Sequence, residues 1–260
     1  MSEQNRQSES RKIAIVTGGS RGIGRNTVVS LAKRDVDSIF TFNTHSEDTK
    51  AVMAEAEAAG ARAIGLKLDA GEIASFDAFA ASVKNTLSQF GRSRFDFLVN
   101  NAGNNHHNMP FEKATEEEFD SVCNVHFKGV FFLTQKLLPL MNDGGRIVNI
   151  STARTRIAST GGAVYASMKA AVEVLSRHLA LELGSRRIAV NVVAPGPVAT
   201  DFSGGIVRDN PEVNKRIAEH TALGRAGLPE DLGPMIASLL SEENHWVNAQ
   251  RIEVAGGIAI

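Results

Sequence analysis

Short apolar runs alternate with helix-forming stretches along nearly the whole chain, and this alternation limits the fold more than any other feature of the sequence. The runs have the length of strands and are apolar throughout, which is typical of strands covered on both faces. Regular strand–helix alternation favours a parallel sheet with helices on both sides. The predicted strands cover residues 13–16, 38–42, 63–68, 95–99, 146–150, 188–193 and 250–254. The predicted helices cover residues 23–33, 47–59, 76–90, 115–142, 164–183 and 229–240.

The chain length and the evenness of this pattern indicate a single domain. A chain of 260 residues is long enough for one large α/β domain or for two small ones. No linker, composition shift or internal repeat divides it, so we expect one doubly wound domain over residues 12–260. Residues 1–11 are polar and lack an apolar segment, which predicts a disordered N-terminal tail.

The charge balance and the single cysteine narrow the classes of partner and compartment. The formal net charge is −1, so no basic field favours nucleic acid or an anionic membrane surface. No stretch approaches the roughly 20 apolar residues of a membrane span. Cys123 stands alone, which excludes an intrachain disulfide and fits a reducing compartment, and its helical context favours a buried small side chain. We therefore expect a cytoplasmic protein without nucleic-acid or membrane partners.

A glycine-rich segment joins the first predicted strand to the first predicted helix. Its glycines permit a tight turn, let a ligand approach the backbone and let the helix pack closely against the sheet. The helix N-terminus then offers free N–H groups to phosphate oxygens. A methyltransferase-type glycine loop fits this segment too, whereas a Walker-type loop needs a Gly-Lys-Ser/Thr sequence that is missing here. The candidate phosphate-binding residues are Gly18, Ser20, Arg21, Gly22, Ile23 and Gly24.

Tyr165 and Lys169 stand four residues apart in a predicted helix, so their side chains share one face. A free tyrosine has a pKa near 10, and a nearby ammonium lowers that pKa by favouring the phenolate. Such a hydroxyl can give a proton to a carbonyl oxygen or take one from an alcohol. The same spacing often arises by chance as a surface pair, but Tyr165 is the only tyrosine in the chain and follows a Gly161-Gly162 loop. We interpret the pair as a catalytic acid/base with its assisting lysine.

Four motifs, in their order along the chain, resemble those of the short-chain dehydrogenase/reductase family, classical type. They are Thr17-Gly-x-x-x-Gly22-x-Gly24, Asn100-Asn101-Ala102-Gly103, Tyr165-x-x-x-Lys169 and Pro195-Gly196. The resemblance extends from Lys12 to the C-terminus, and the four motifs together are far more specific than any one of them. It implies a single Rossmann-type domain with a mostly parallel sheet of about seven strands, assembled as a homotetramer or homodimer. It also implies an NAD(P)(H)-dependent oxidoreductase that acts on a ketone, a 3-oxoacyl group or the corresponding alcohol.

The resemblance adds two residues to Tyr165 and Lys169. The family's substrate-binding hydroxyl lies thirteen positions before the tyrosine, where this chain has Thr152 in place of the usual serine. Ser151 is adjacent, but neighbouring residues of a strand point to opposite faces, and we favour Thr152. Asn124 matches the helix asparagine that is implied to hold a water molecule linking Lys169 to solvent. A polar residue that only kinks its helix is the alternative interpretation of Asn124.

The end of the second strand bears on the choice of cofactor. An NAD site typically has an acid there for the ribose 2′-hydroxyl, but this chain has Asn43 and Thr44. Arg21 suits a 2′-phosphate, although it would also suit an exposed surface. We therefore predict NADP(H) over NAD(H). The resemblance implies further cofactor contacts at Asp69 and Ala70 beside the adenine, Asn101, Ala102 and Gly103 beside the ribose, and Pro195, Gly196, Val198 and Thr200 around the nicotinamide.

Several charged residues fall in loops near the expected carboxyl ends of the strands, where ligands bind in such folds. They are Arg154, Arg156, His106 and His107, and the segment 201–223 matches the family's substrate-covering loop. An acidic or phosphate-bearing substrate would suit them, but solvated loop charges are the commoner explanation and the one we favour. The two histidines lack a third ligand at metal spacing, so we infer no metal.

The substrate and one alternative function stay open at the level of sequence. The fold does not choose among 3-oxoacyl thioesters, sugars, small ketones and xenobiotic carbonyls. A non-catalytic NADP(H)-binding module that senses redox state is the alternative to an enzyme. Such a module is expected to have a broken Tyr/Lys pair, whereas Tyr165 and Lys169 are both intact.

Overall fold

The computed structural model describes residues 11–44, 46–104 and 110–260, and one parallel sheet runs through it. Its strands are β1 (Ile13–Val16), β2 (Asp37–Phe42), β3 (Ala63–Lys67), β4 (Phe95–Asn100), β5 (Met141–Ile150), β6 (Ala189–Pro195) and β7 (Arg251–Val254). They are ordered β3-β2-β1-β4-β5-β6-β7, and each neighbouring pair is parallel. The predicted doubly wound α/β fold with about seven strands is therefore confirmed.

Helices cover both faces of this sheet. They are α1 (Gly22–Ala32), α2 (Glu47–Ala58), α3 (Phe76–Gln89), α4 (Glu116–Cys123), α5 (Gly129–Leu137), α6 (Ala163–Glu182), α7 (Ile206–Asp209), α8 (Pro211–Glu219) and α9 (Pro229–Leu239). Along β1, Ala14 and Val16 join one apolar core with α1, α2 and α9, while Ile13 and Ile15 join the other with α3, α5 and α6. Alternate residues of one strand thus serve two cores, which explains why the strands are apolar throughout.

The strand order places a crevice at the carboxyl ends of β1 and β4. From β1 the chain moves outward to β2 and β3, and it then crosses back to β4 on the other side of β1. The loops that leave β1 and β4 therefore diverge, and ligands bind at such a switch point in open α/β sheets. The glycine segment follows β1 and Asn101 follows β4, so the topology brings these two motifs together. Within the described residues, no helix is both long and apolar enough to cross a membrane.

The prediction of one uninterrupted helix over residues 115–142 is wrong. After α4 the backbone widens into a π-helical segment, Asn124–Lys128, before α5 begins. Pro139 lies in a short 3₁₀ turn after α5, where a proline, which has no N–H to donate, readily ends a helix. β5 then begins at Met141, five residues before its predicted start at Arg146. An apolar helical period runs across all these changes, and for this reason it did not reveal them.

Two helix ends follow their sequence signals, and one loop does not. Oγ1 of Thr115 accepts from the Glu118 N–H at 3.2 Å and so caps α4, as its spacing predicts. Gly60, with a φ of 93°, follows α2 as predicted. Segment 201–223, treated above as a loop, contains the helices α7 and α8. Asn210 caps α8 by accepting from the N–H three residues later.

Candidate active site

The glycine segment after β1 forms a close-fitting cradle in which the backbone itself is exposed to a ligand. Gly18 and Gly22 have φ angles of 64° and 56°, which glycine adopts readily. A Cβ at Gly24 would lie 2.1 Å from the carbonyl oxygen of Gly18, so only glycine fits where α1 passes the loop. Helix α1 begins at Gly22, and its first N–H groups are available to an anion at the crevice. The cradle therefore fits a pyrophosphate group.

A threonine joins the glycine segment to the loop that follows β4. Oγ1 of Thr17 accepts from the backbone N–H groups of Asn101 and Ala102 at 2.9 and 3.0 Å. The Asn101 side chain donates in return to the backbone oxygens of Thr17 and Gly18. Thr41 on β2 adds a third connection, since its Oγ1 accepts from the Gly18 N–H at 2.9 Å. Sequence reasoning assigned no role to Thr17 or Thr41, although Thr17 opens the glycine motif.

The carboxyl ends of β2 and β3 meet at Asn43 and Asp69. The Asn43 amide donates to Oδ2 of Asp69 at 3.2 Å, and the Gly71 N–H donates to its Oδ1 at 2.8 Å. Ala70 follows Asp69 at the same edge, and Asn43 and Thr44 are exposed. Neither Asn43 nor Thr44 carries a negative charge that would repel a 2′-phosphate.

Arg21 lies at the tip of the glycine segment, with 49% of its side chain exposed. Its Nη1 is 3.9 Å from Oδ2 of Asp201, at the start of the covering segment. Arg25, one turn further along α1, is bound instead to Glu55 on α2. Ser20 is buried beside Arg21, and Ile23 packs against the apolar core. Arg21 is thus the arginine of this loop that lies at the mouth of the crevice.

The segment after β6 passes close to the C-terminal residues of the chain. Pro195 ends β6, and the Gly196 N–H donates to the backbone of Val254 at 3.2 Å. A Cβ at Gly196 would lie 2.9 Å from the side chain of Ala255, which explains the glycine. Val198 then forms a parallel bridge with Gly227, which fixes the direction in which the segment leaves the sheet.

Thr200 connects this segment to the glycine cradle. Its Oγ1 accepts from the Phe202 N–H at 3.2 Å, and its methyl carbon would lie 3.4 Å from a Cβ at Gly22. The structure thereby brings the predicted nicotinamide segment against the predicted phosphate loop. The two segments are more than 170 residues apart in sequence.

Tyr165 lies in the first turns of α6, and only 8% of its surface is exposed. Burial raises the pKa of Tyr165 to about 12, while the positive charge of Arg154 and a hydrogen bond with the Thr152 side chain act to lower it. The hydroxyls of Thr152 and Tyr165 are therefore within hydrogen-bond reach of each other. The sequence had suggested a lowered pKa for this tyrosine, without the opposing effect of burial.

Lys169 is buried one turn after Tyr165 on the same face of α6. Its Nζ donates to the carbonyl oxygen of Ile150 at 2.8 Å and lies 5.8 Å from the centre of the Tyr165 ring. Burial lowers the pKa of Lys169 to about 8. The carbonyl at the end of β5 thus fixes the ammonium beside the tyrosine.

Ser151 and Thr152 point in different directions at the end of β5. Oγ of Ser151 donates to Oε1 of Glu173 at 2.6 Å, on the side of the sheet that α6 covers. Oγ1 of Thr152 accepts from the Arg154 N–H at 3.3 Å and meets Tyr165. Both partners lie on α6, so the turn that follows β5 separates the two hydroxyls, and not the two faces of the sheet.

Asn124 is the first residue of the π-helical segment. The Gly129 N–H reaches back five residues to the Asn124 carbonyl, which is the bond that widens the helix. Phe127 of this segment packs against the buried cluster of Val122, Tyr165 and Met168. The π segment is therefore part of the wall that supports the tyrosine, and π-bulges frequently mark functional sites.

Two aromatic side chains neighbour Tyr165, and sequence reasoning gave no role to one of them, His126. The ring of His126 is buried and meets the Tyr165 ring edge to face, with centroids 5.0 Å apart. Its Nε2 lies 2.9 Å from Oδ1 of Asn104, in the loop after Gly103. The ring of Phe202 lies 6.0 Å from Tyr165 on the covering segment. Phe202 lies in the segment that was predicted to cover the substrate, and the position of His126, two residues after Asn124, was a usable signal.

The two loop arginines have different surroundings. Arg156 pairs with Glu253 and donates to the backbone oxygens of Ile258 and Ala259 near the C-terminus. The guanidinium carbon of Arg154 would lie 3.8 Å from a Cβ at Gly162, and its charge acts on Tyr165. Neither arginine is therefore a simple solvated loop charge, since Arg156 is paired with Glu253 and the charge of Arg154 acts on Tyr165.

The predicted histidines His106 and His107 lie outside the described residues. Across residues 11–44, 46–104 and 110–260, no three His, Cys, Asp or Glu side chains form a group that would hold a metal ion. Cys123 is partly buried and packs beside Val122, Tyr165 and Met168.

A doubly wound sheet with a dinucleotide cradle beside a buried tyrosine and lysine is an arrangement of nicotinamide-dependent oxidoreductases. A family model described as Enoyl-(Acyl carrier protein) reductase matches residues 18–259. Hydroxynaphthalene reductase-like protein Arp2 of Metarhizium brunneum is 34% identical, and the match covers 98% of each chain.

Solved structures agree with this match. The reductase LugOII, described as catalysing keto-reduction at C1 during lugdunomycin biosynthesis, is 32% identical with a TM-score of 0.90, covering 96% of this chain and 98% of that one. The angucycline C-6 ketoreductase LanV, solved with bound NADP, is 34% identical with a TM-score of 0.89 and 95% coverage of each chain. The chain belongs to the short-chain dehydrogenase/reductase family, and the resemblance of its four motifs to that family is confirmed.

Proposed function

We propose that this protein is an NADP(H)-dependent ketone reductase in which Tyr165 is the acid/base. The observation that carries the proposal is the contact between the Thr152 and Tyr165 hydroxyls, one turn from the buried Lys169. Two hydroxyls that meet at one point can both bind a single carbonyl oxygen. They lie at the carboxyl end of the sheet, on the side where the dinucleotide cradle opens.

The cofactor is proposed to bind across the switch point of the sheet. Gly18, Gly22 and Gly24 would hold the pyrophosphate, with Ser20 and Ile23 in the same turn. Asn43, Asp69 and Ala70 would line the adenosine side, Asn101, Ala102 and Gly103 the ribose, and Pro195, Gly196, Val198 and Thr200 the nicotinamide. When bound, NADPH supplies the hydride that reduces the carbonyl carbon.

Arg21 supports a preference for NADP(H). Its guanidinium is half exposed at the crevice mouth, where it can pair with a 2′-phosphate in bidentate fashion. Asn43 and Thr44 add no opposing charge. A ketoreductase relative, LanV, was solved with bound NADP, which supports the same choice.

The proton chemistry follows from the two buried pKa values. With its pKa near 12, Tyr165 keeps its proton at neutral pH and is suited to donate it to the carbonyl oxygen. Thr152 donates a hydrogen bond to the same oxygen as negative charge develops there. Lys169, with a pKa near 8, is mostly charged at neutral pH and supports the tyrosinate that is left. Asn124 is proposed to hold the water that returns a proton through Lys169.

The proposed substrate is an aromatic ketone. The ring of Phe202, on the substrate-covering segment, is 38% exposed beside Tyr165 and provides an apolar face for a planar molecule. A relative is named a hydroxynaphthalene reductase-like protein, and LanV is named an angucycline ketoreductase. Both names support a fused-ring substrate in preference to a sugar.

The assembly is proposed to be a homotetramer or homodimer of one cytoplasmic domain, residues 12–260. The predicted tail, residues 1–11, lies outside the described residues apart from Arg11. Exposed apolar side chains on three neighbouring helices support association through α4, α5 and α6. They are Phe119, Phe131, Phe132, Val174 and Leu181. Exposed apolar patches of this kind commonly mark protein interfaces.

The test is NADPH and NADH oxidation across a panel of ketones that includes a fused bicyclic aromatic ketone, with Tyr165→Phe as the control. We expect turnover with NADPH, a much lower kcat/KM with NADH, and loss of turnover in Tyr165→Phe. Binding of NADPH without turnover of any ketone would favour the redox-sensing module instead.

A further inference from the structure

Glu173 lies one turn after Lys169 on α6, so the two side chains and Tyr165 follow one face of the helix. Only 12% of the Glu173 side chain is exposed. Its Oε1 accepts three hydrogen bonds, from Oγ of Ser151 at 2.6 Å, Oγ1 of Thr155 at 2.8 Å and Nε of Arg251 at 2.9 Å. One carboxylate oxygen therefore joins α6, the turn after β5 and β7.

Arg251 encloses the same turn from the side of β7. Its Nη2 donates to the backbone oxygen of Thr152 at 3.3 Å and to Oγ1 of Thr155 at 3.0 Å, while its Nη1 pairs with Glu253. The residue with the substrate-binding hydroxyl is thus held through its carbonyl by Arg251. It is also held through its neighbours by Glu173.

A network of ion pairs extends from this turn to the C-terminal residues. Glu253 bridges Arg251 and Arg156, and Arg156 donates to the carbonyls of Ile258 and Ala259. Both arginines help to hold the pKa of Glu253 below its ordinary value, Arg156 more strongly. Two carboxylates and two guanidiniums alternate in this network, so each charged group lies beside a group of opposite charge. Hydrogen bonds between charged groups are directional, so this network fixes the orientation of the turn after β5 as well as its position.

We propose that Glu173 and Arg251 are positioning residues that hold the Thr152 hydroxyl against Tyr165. Neither reaches the hydroxyl pair directly, so each acts through the backbone and side chains of the turn 151–155. The kinetic consequence rests on the proposed ketone reductase function, because it concerns the oxygen that Thr152 and Tyr165 would bind together. The geometric consequence at Tyr165 does not depend on turnover.

The chain offers a direct probe of that geometry, since Tyr165 is its only tyrosine. Incorporation of 3-fluorotyrosine places one ¹⁹F nucleus in the whole protein, beside the hydroxyl that meets Thr152. Glu173→Gln keeps the size of the side chain and an oxygen acceptor but removes the charge that Arg251 faces. We expect this variant to shift or broaden the ¹⁹F signal and to lower kcat about tenfold, while KM for NADPH changes less than about twofold.

Three further variants complete the design. Glu182→Gln removes an exposed charge from the same helix and should leave the ¹⁹F signal and kcat unchanged. Arg251→Lys keeps the charge that Glu173 faces but lacks the fork that also reaches Thr152, so it should lie between wild type and Glu173→Gln. Thr155→Val removes one hydrogen bond to each partner, and it serves if Glu173→Gln does not fold.

The outcomes separate this inference from the proposed function. An unchanged ¹⁹F signal and unchanged kcat in folded Glu173→Gln, or in Thr155→Val if the first does not fold, would overturn the inference. A lower melting temperature with wild-type kcat and an unmoved ¹⁹F signal would also overturn it, because it would indicate a purely structural role. If Glu173→Gln displaces the ¹⁹F signal but the wild-type protein reduces no ketone, the positioning role is retained and the proposed function is rejected.

Discussion

The hydroxyl group of Thr152 interacts with that of Tyr165, across the gap between the end of β5 and the start of α6, and acts to lower the pKa of the tyrosine. The neighbouring Ser151 hydroxyl is bound instead to Glu173 at 2.6 Å. Of two adjacent hydroxyl residues, only Thr152 therefore reaches the tyrosine. This division carries the proposed chemistry, because a carbonyl oxygen can be bound only by hydroxyls that converge on it.

Removing the Thr152 hydroxyl should reduce turnover more than removing that of Ser151. We expect Thr152→Ala to lower kcat about 100-fold, as the loss of an oxyanion donor does. Ser151→Ala removes one of three hydrogen bonds to Glu173 and should lower kcat less than about tenfold. Thr152→Ser keeps the hydroxyl and serves as the control in the same steady-state assay. The opposite ranking of the two alanine variants would assign the substrate oxygen to Ser151.

Replacing Arg21 should change the cofactor preference. Arg21→Ala should reduce kcat/KM for NADPH by about tenfold or more, since a charge-assisted pair with a 2′-phosphate is lost. The value for NADH should change less than about threefold, because NADH has no phosphate there. Arg34→Ala, at the far end of α1 and paired with Glu243, is the matched control. Equal losses for both cofactors would contradict the assigned role of Arg21.

The buried Lys169 should make stability depend on pH in a predictable direction. Its pKa is about 8 in the folded protein and 10.5 ordinarily, so the unfolded chain binds more protons between these values. Folding stability should therefore rise as pH increases through this window, by about 2 kcal/mol from about pH 8 to pH 10. Urea unfolding of wild type and Lys169→Met measures the effect as a difference between the two. If the difference in unfolding free energy between the two proteins stays constant or falls as pH rises, burial does not destabilise the charged form of Lys169.

Adding one methyl group to the glycine cradle should weaken cofactor binding. A Cβ at Gly24 would lie 2.1 Å from the backbone oxygen of Gly18, so the loop must move to accept it. We expect Gly24→Ala to weaken NADPH binding about tenfold or more, measured by NADPH fluorescence. Gly184→Ala adds the same methyl group in open space and should bind NADPH as wild type does. Equal affinities in the two variants would exclude a close-fitting cradle.

Much of the fold follows from local patterns in the sequence. Each strand is a short apolar run, and β1 shows why, because its alternate residues serve cores on both faces. Local signals also located Gly60 after α2 and Thr115 before α4. The π-helical segment at Asn124 was not predicted, because the sequence continues a helical pattern on both sides of it.

The site residues that belong to one sequence motif were predictable. Those that are brought together from distant parts of the chain were not. Tyr165 and Lys169 are four apart on one helix, and the structure brings them together as expected. Glu173 continues the same face, and its spacing from Lys169 was a usable signal. Arg251 is 78 residues from Glu173, and only the pairing of β6 with β7 brings it near. The raised pKa of Tyr165 was equally out of reach, because it depends on burial by the surrounding helices.

The transfer of a labelled hydride tests the central claim most directly. The protein would be incubated with NADPH that carries deuterium at the transferred C4 position and a fused bicyclic aromatic ketone, and the alcohol analysed by mass spectrometry. The account predicts one deuterium on the carbinol carbon with wild type, and about 100-fold less product with Tyr165→Phe at unchanged NADPH affinity. Equal labelled product from Tyr165→Phe, or bound NADPH with no labelled alcohol from any ketone, would contradict it.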